Sequence, residues 1–339
     1  MTFLQWSLPR MGYRWRGFRK VHRTVCKRLS RRLRELDLAD LDAYRAILVA
    51  SPEERRRFDA LCRIPISRFA RDRALFDALA IDLLPALARE ARGAGRSTVA
   101  AWSAGCASGE EPYSLGIVWR LAVAPLAPDV SLDVIATDID ATMLARARTA
   151  CYPLGSLRDL RPAWRRTAFE QRDGDECLRT PFRSGITFRR QDIREMMPPG
   201  PFNLILCRNL AFTYFDSDLE ARILRGLHHR LAPDGVLIIG MHETPPKLDD
   251  APLERVAPTL PCYRRARGAG MSAPGLRHQP TEGSGGALAP ERQPGIGTAP
   301  GRSGAPALCR AGSRPGVAHQ NALDHNPISR EPPSRLLLP

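Results

Sequence analysis

The stretch that most limits what this chain can fold into is residues 102–113, WSAGCASGEEPY. It reads as the end of an apolar strand, a turn holding Gly105 and Gly109, and a helix opening near Pro112. Proline fits a first helical turn because its missing N–H would be unpaired there anyway. Glycine and small residues at the turn let backbone come close to a ligand. Open α/β sheets bind ligands just outside the carboxyl ends of their strands. The string is not G-x-G-x-x-G, and Glu110 and Glu111 beside the turn would repel a pyrophosphate. They suit a cationic ligand that also offers hydroxyl groups.

The surrounding pattern extends this unit into a fold. Strands are expected at 99–102, 130–137, 202–207 and 235–241, with helices at 112–121, 140–150 and 216–231. Strand–helix–strand repetition means parallel pairing through right-handed crossovers. The runs NLILC and VLIIG are continuously apolar, as buried parallel strands are. The fold class is therefore α/β, a Rossmann-like domain over residues 97–265. Residues 152–190 interrupt the rhythm and read as a small inserted subdomain with a helix near 162–169 and a short hairpin.

Residues 1–96 read as an N-terminal helical domain. Val21, Val25, Leu29 and Leu33 recur every four residues, flanked by Lys20, Arg23, Lys27, Arg28, Arg31, Arg32 and Arg34. Further helices are expected at 41–50, after a Ser51/Glu54 capping box, and over 75–92. Residues 266–339 are rich in Gly, Pro, Ser and Ala without apolar periodicity, and read as a disordered tail.

Formal net charge is +15 over 339 residues, which favours acidic partners. Arginine far outnumbers lysine, a bias that base composition alone can produce, so a nucleic-acid partner is not inferred. The eight cysteines are scattered with no C-x-x-C pair. The expectation is reduced thiols in a cytoplasmic chain, with neither a metal site nor a disulfide framework. No signal peptide and no apolar run long enough to span a membrane are read, and a monomer is expected.

Three further motifs fall in register with the first. Asp138, in VIATDID, stands at the tip of the second strand, where an acid typically holds ribose hydroxyls; Asp140 reads as the following helix cap. Gln191-Asp192-Ile193 follows a short strand at 186–188. LILCRNLAFTYFD places Arg208, Asn209 and Tyr214 where the third crossover begins.

Taken in order, WSAGCASGEEPYSL, ATDID and CRN…YFD, with ISRFARDRALFDAL upstream, resemble the CheR-type chemotaxis receptor methyltransferases. The resemblance covers residues 20–264. It implies a Rossmann-like methyltransferase domain that transfers a methyl group from S-adenosylmethionine to a glutamate carboxylate on a receptor's helical bundle. It puts Arg71 on the cofactor's methionine carboxylate, with Ser67 nearby. Ala104, Gly105 and Glu111 would line the cofactor, Asp138 the ribose, and Asp192 and Ile193 the adenine. Arg208 and Asn209 would complete the pocket, and Tyr214 would face the transferring methyl.

Departures mark a divergent, stand-alone branch of that family. Pro65 replaces the usual asparagine, Ala70 the second phenylalanine, and one extra residue separates Asn209 from Tyr214. A cofactor-binding regulatory protein and a methyltransferase with another protein or small-molecule acceptor stay open at this point. The basic helix at 20–34 fits an acidic helical substrate.

Overall fold

The computed structural model describes residues 2–256 and 258–266. Its strands, in chain order, are β1 Thr98–Ala104, β2 Ser131–Asp138, β3 Cys151–Tyr152, β4 Phe169–Arg172, β5 Asp175–Leu178, β6 Ile186–Arg190, β7 Phe202–Cys207, β8 Leu231–Ile239, β9 Leu253–Arg255 and β10 Cys262–Arg265. Seven of them form one sheet in the order β6-β2-β1-β7-β8-β10-β9. The pairs β6–β2, β2–β1, β1–β7 and β7–β8 are parallel, and β10 runs antiparallel to β8 and β9. This is the α/β architecture expected from the alternation. Most of the tail at 266–339 lies outside the described residues.

The apolar runs explain why β1 and β7 are central. Trp102, Ala104, Ile205 and Cys207 pack into a core on one sheet face, and Val99, Ala101, Leu204 and Leu206 into a core on the other. The first core also contains Phe3, Phe18, Leu29, Tyr44 and Phe58, so the N-terminal helices bury their stripes directly against the sheet. Each such large side chain, removed from water, contributes about 1.5–3 kcal/mol.

Helix ends follow their caps. Asp140 accepts from Thr142 N and Met143 N, opening Ala141–Thr149 as expected. Ser51 accepts from Glu54 N, but the reciprocal half of the expected capping box is absent. The Glu54 carboxylate instead takes Arg32 and the Tyr44 hydroxyl. The helix expected at 112–121 begins at Glu110, ends as α-helix at Val118, and continues as a π turn over Trp119–Val123. The one expected at 75–92 is likewise split by a π turn at Leu79–Leu83. Pro85 lies just beyond; it has no N–H to donate to residue 81, and the wider turn accommodates it.

The inserted subdomain contains the helix Pro162–Ala168 and a three-stranded sheet, order β3-β5-β4. It is shorter than the expected 152–190, because β6 belongs to the main sheet. It also corrects the cysteine reading. Cys151 and Cys177 are disulfide-bonded. They lie 26 residues apart, so no local spacing betrays them, and only the β3–β5 register brings them opposite each other. Closing a loop of that length restricts the unfolded chain by about 3–4 kcal/mol in the chain-entropy account. Reduction should therefore lower the thermal midpoint; an unchanged midpoint with and without dithiothreitol would show that the pair does not stabilise the chain.

Candidate functional site

A cavity of about 260 Å³ opens at the carboxyl ends of β1, β2, β6 and β7. Each strand delivers one part of the wall. β1 leads to Gly105, Ala107 and Glu111; β2 ends in Thr137 and Asp138; β6 leads to residues 191–194; β7 leads to Arg208, Asn209 and Leu210. Residues 62–68 and Arg71 close the cavity from the N-terminal side, and Tyr214 from beyond β7.

The turn after β1 is held by main chain. Gly105 N and Cys106 N both donate to Thr137 O, at 2.8 and 3.0 Å. Gly105 has φ 77°, and a Cβ there would come within 2.6 Å of Leu210 Cδ2. Gly109, at φ 91°, caps the helix Glu110–Val118. Two non-glycine residues of the wall, Ala107 and Asn209, are also left-handed, as are Ala70 and Asp72 on either side of Arg71. That conformation costs roughly 1–2 kcal/mol per residue, and such strain gathers at functional sites.

Asp138 organises the middle of the wall. Its Oδ2 accepts from Ala107 N and its Oδ1 from Asp140 N, both at 2.8 Å. Burial raises its carboxyl above the ordinary range, although both backbone donors pull the other way. Glu111 accepts from Ser103 Oγ at 2.7 Å and from Arg208 Nη1 at 2.9 Å. Arg208 also donates to Asp72 Oδ2 at 2.6 Å and to the carbonyl of Arg71 at 2.9 Å. One buried guanidinium thus joins three chain segments around the cavity.

At the β6 end, Arg194 takes both oxygens of Asp192, and reaches Asp59 on the helix Pro52–Cys62 at 2.6 and 3.0 Å. Asp192 Oδ1 also accepts from Arg194 N at 2.9 Å. Its neighbour Gln191 has a buried Oε1 with no hydrogen-bond partner. At the opposite end, Arg71 donates to Ile66 O at 2.9 Å. Burial raises the Tyr214 phenol above its ordinary value, while the charge of Arg71 pulls the other way.

Of the residues named from sequence, Ser67, Arg71, Gly105, Glu111, Asp138, Asp192, Ile193, Arg208, Asn209 and Tyr214 all border this cavity. Ala104 does not: it is the last residue of β1 and is buried in the sheet core. Sequence reading missed Asp72, Arg194 and Glu243. Glu243 accepts from Asn209 N, and its only signal was an acid just past a strand's carboxyl end. Among the described residues no cluster of three or more metal-ligating side chains occurs, and no helix is long and apolar enough to cross a membrane.

The model of the CheR methyltransferase S-adenosylmethionine-binding domain matches residues 66–255, which takes in every wall segment that follows Pro65. The chain belongs to the CheR methyltransferase family. The chemotaxis protein methyltransferase of Salmonella typhimurium is 34% identical over 227 residues, covering 65% of this chain and 75% of that one. That of Listeria monocytogenes is 34% identical over 186 residues, 55% of this chain and 68% of its own. A probable chemotaxis protein methyltransferase of Rhizobium etli is 33% identical over 227 residues, 65% and 83%. This CheR-type chain is an S-adenosylmethionine-dependent methyltransferase, and S-adenosylmethionine is its cofactor. The cavity's chemistry fits that molecule: carboxylates for a cation and ribose hydroxyls, and an unsatisfied amide oxygen able to take an amino group.

Proposed function

We propose that this chain converts glutamate side chains of a chemoreceptor into methyl esters. The observation that carries the reading is the CheR match over residues 66–255, with Tyr214 and Arg71 both lining the same cavity; a tyrosine phenol is protonated at neutral pH. A protonated phenol can orient a carboxylate but cannot take a proton from an acceptor. A glutamate, with an ordinary pKa of about 4.3, needs no base at neutral pH.

When bound, the cofactor supplies an electrophilic sulfonium methyl. Arg71 would hold its methionine carboxylate, Asp138 its ribose, and Gln191 and Ile193 its adenine, with Asp192 fixed behind them by Arg194. Glu111 and Asn209 would complete the binding surface. Tyr214 would then align the acceptor oxygen about 3 Å from the methyl group, where positioning alone lowers the barrier substantially.

The test is methyl transfer from labelled cofactor to a purified receptor cytoplasmic fragment. Label released as methanol by mild base supports a carboxyl ester. Base-stable label, or none, would overturn the acceptor.

Acceptor docking is assigned to the helix His22–Glu35. Arg23, Lys27, Arg31 and Arg34 are exposed on it, whereas Arg28 donates to Leu61 O and Arg63 O, and Arg32 is spent on Glu54. The basic face is thus narrower than the sequence implied. Replacing Arg23, Lys27, Arg31 and Arg34 together with glutamine should raise acceptor KM and flatten its salt dependence, while cofactor Kd stays constant. Steady-state kinetics at two salt concentrations checks this, and an unchanged KM would remove the helix from docking.

A further inference from the structure

The stretch between Asn209 and Tyr214 has an unusual support. Asn209 sits in a left-handed conformation, φ 54°, at the end of β7, and the single-turn helix Ala211–Tyr214 follows. Both ends of this stretch are tied to one buried carboxylate. Glu243 Oε2 accepts from Asn209 N at 2.9 Å, and Oε1 accepts from Thr213 Oγ1 at 2.5 Å. Oε2 also accepts from Gly240 N at 2.5 Å, which anchors the carboxylate to the end of β8. Glu243 is 8% exposed and does not border the cavity. A Cβ at Gly240 would lie 2.5 Å from Asn209 Nδ2 and 2.7 Å from Glu243 Oε2, so the close approach requires glycine. From the other side, Arg14 N donates to Tyr214 O at 2.8 Å.

We propose that Glu243 is a positioning residue for methyl transfer, fixing Asn209 against the cofactor and Tyr214 against the acceptor from behind the cavity wall. The physical argument is geometric. Asparagine tolerates the left-handed region but is not confined to it, and a one-turn helix has no stability of its own. The carboxylate links the two ends of the stretch from behind the wall, while Arg14 holds Thr213 O and Tyr214 O from the other side. An unpaired buried carboxylate would be unfavourable; three donors satisfy it. The assignment rests on the proposed roles of Asn209 and Tyr214.

The experiment compares the full-length chain with its Glu243→Ala, Glu243→Gln and Thr213→Val variants, using labelled S-adenosylmethionine and a receptor cytoplasmic fragment. Folded fraction is taken from denaturation, and cofactor Kd from calorimetry. Glu243→Ala should lower kcat per folded molecule by about a hundredfold, the scale of an ångström-sized misplacement, with acceptor KM unchanged. Cofactor Kd should weaken by less than kcat falls. Glutamine keeps a carbonyl for the two backbone donors and should restore most of kcat, and Thr213→Val should fall between.

Wild-type kcat in Glu243→Ala, or a glutamine variant as slow as the alanine one, would overturn the proposal. Should Glu243→Ala not fold, Thr213→Val decides: an unchanged kcat overturns it. Should the wild-type chain transfer no methyl group to receptor glutamates, the acceptor reading fails by itself. Glu243 is then judged on cofactor Kd alone, where equal values for wild type and Glu243→Ala, or for Thr213→Val if alanine does not fold, overturn it.

Discussion

Arg208→Ala should destabilise the chain by about 3 kcal/mol, the low end of what breaking a buried ion pair costs. The Arg208 side chain is 3% exposed and is the shared partner of Glu111, 14% exposed, and Asp72, 31% exposed. Its removal leaves Glu111 with one hydrogen bond, from Ser103, inside a cavity already crowded with carboxylates. The partial exposure of Asp72 lets water take over that half, which sets the loss at the low end. The variant should show a lower urea midpoint with an unchanged slope. Arg208→Lys should recover only part of it, because an ammonium cannot reach Glu111, Asp72 and the Arg71 carbonyl from one planar fork. Full stability in Arg208→Ala would mean that the three segments hold together without it.

Asp138→Ala is expected to weaken S-adenosylmethionine binding by about 1.5–3 kcal/mol, the range for hydrogen bonds to a charged group. That is roughly a ten- to hundredfold rise in Kd, read by calorimetry. Two losses combine. One is the proposed contact to ribose. The other is intramolecular: Ala107 N and Asp140 N lose their acceptor, and Ala107 is held left-handed without it. Asp138→Asn separates them, since one amide oxygen can still take one backbone donor. If Asp138→Ala binds the cofactor as wild type does, the ribose assignment is wrong.

How much of this was readable beforehand depended on the range of the interaction. The turn at 102–113 was legible because glycine, proline and a strand end are local signals, and Asp140 declared itself as a cap for the same reason. Arg71, Asp138 and Arg208 were found through motifs. What the motifs did not carry was the pairing among them. Arg208 lies 97 residues from Glu111 and 136 from Asp72. Arg194 reaches Asp59 across 135 residues, which diverts Asp192 into a buried network. Arg28 and Arg32 looked like surface charge because a helical stripe does not reveal which flank meets the next helix. Cys151 and Cys177 were invisible until two strands paired.

The inserted sheet has one more consequence. Phe69, two residues before Arg71, is bracketed edge-on by Tyr152 of β3 at 4.8 Å and Phe169 of β4 at 5.1 Å. Its amide donates to Ser156 O, and the Tyr152 hydroxyl donates to Ser108 O in the turn after β1. The small sheet is therefore no detachable adaptor. A change of side chain at Tyr152 or Phe169 would be felt at Phe69, two residues from Arg71. The small sheet and the cofactor pocket thus share one mechanical frame, and a load on the one is passed to the other through Phe69 and the Tyr152 hydroxyl.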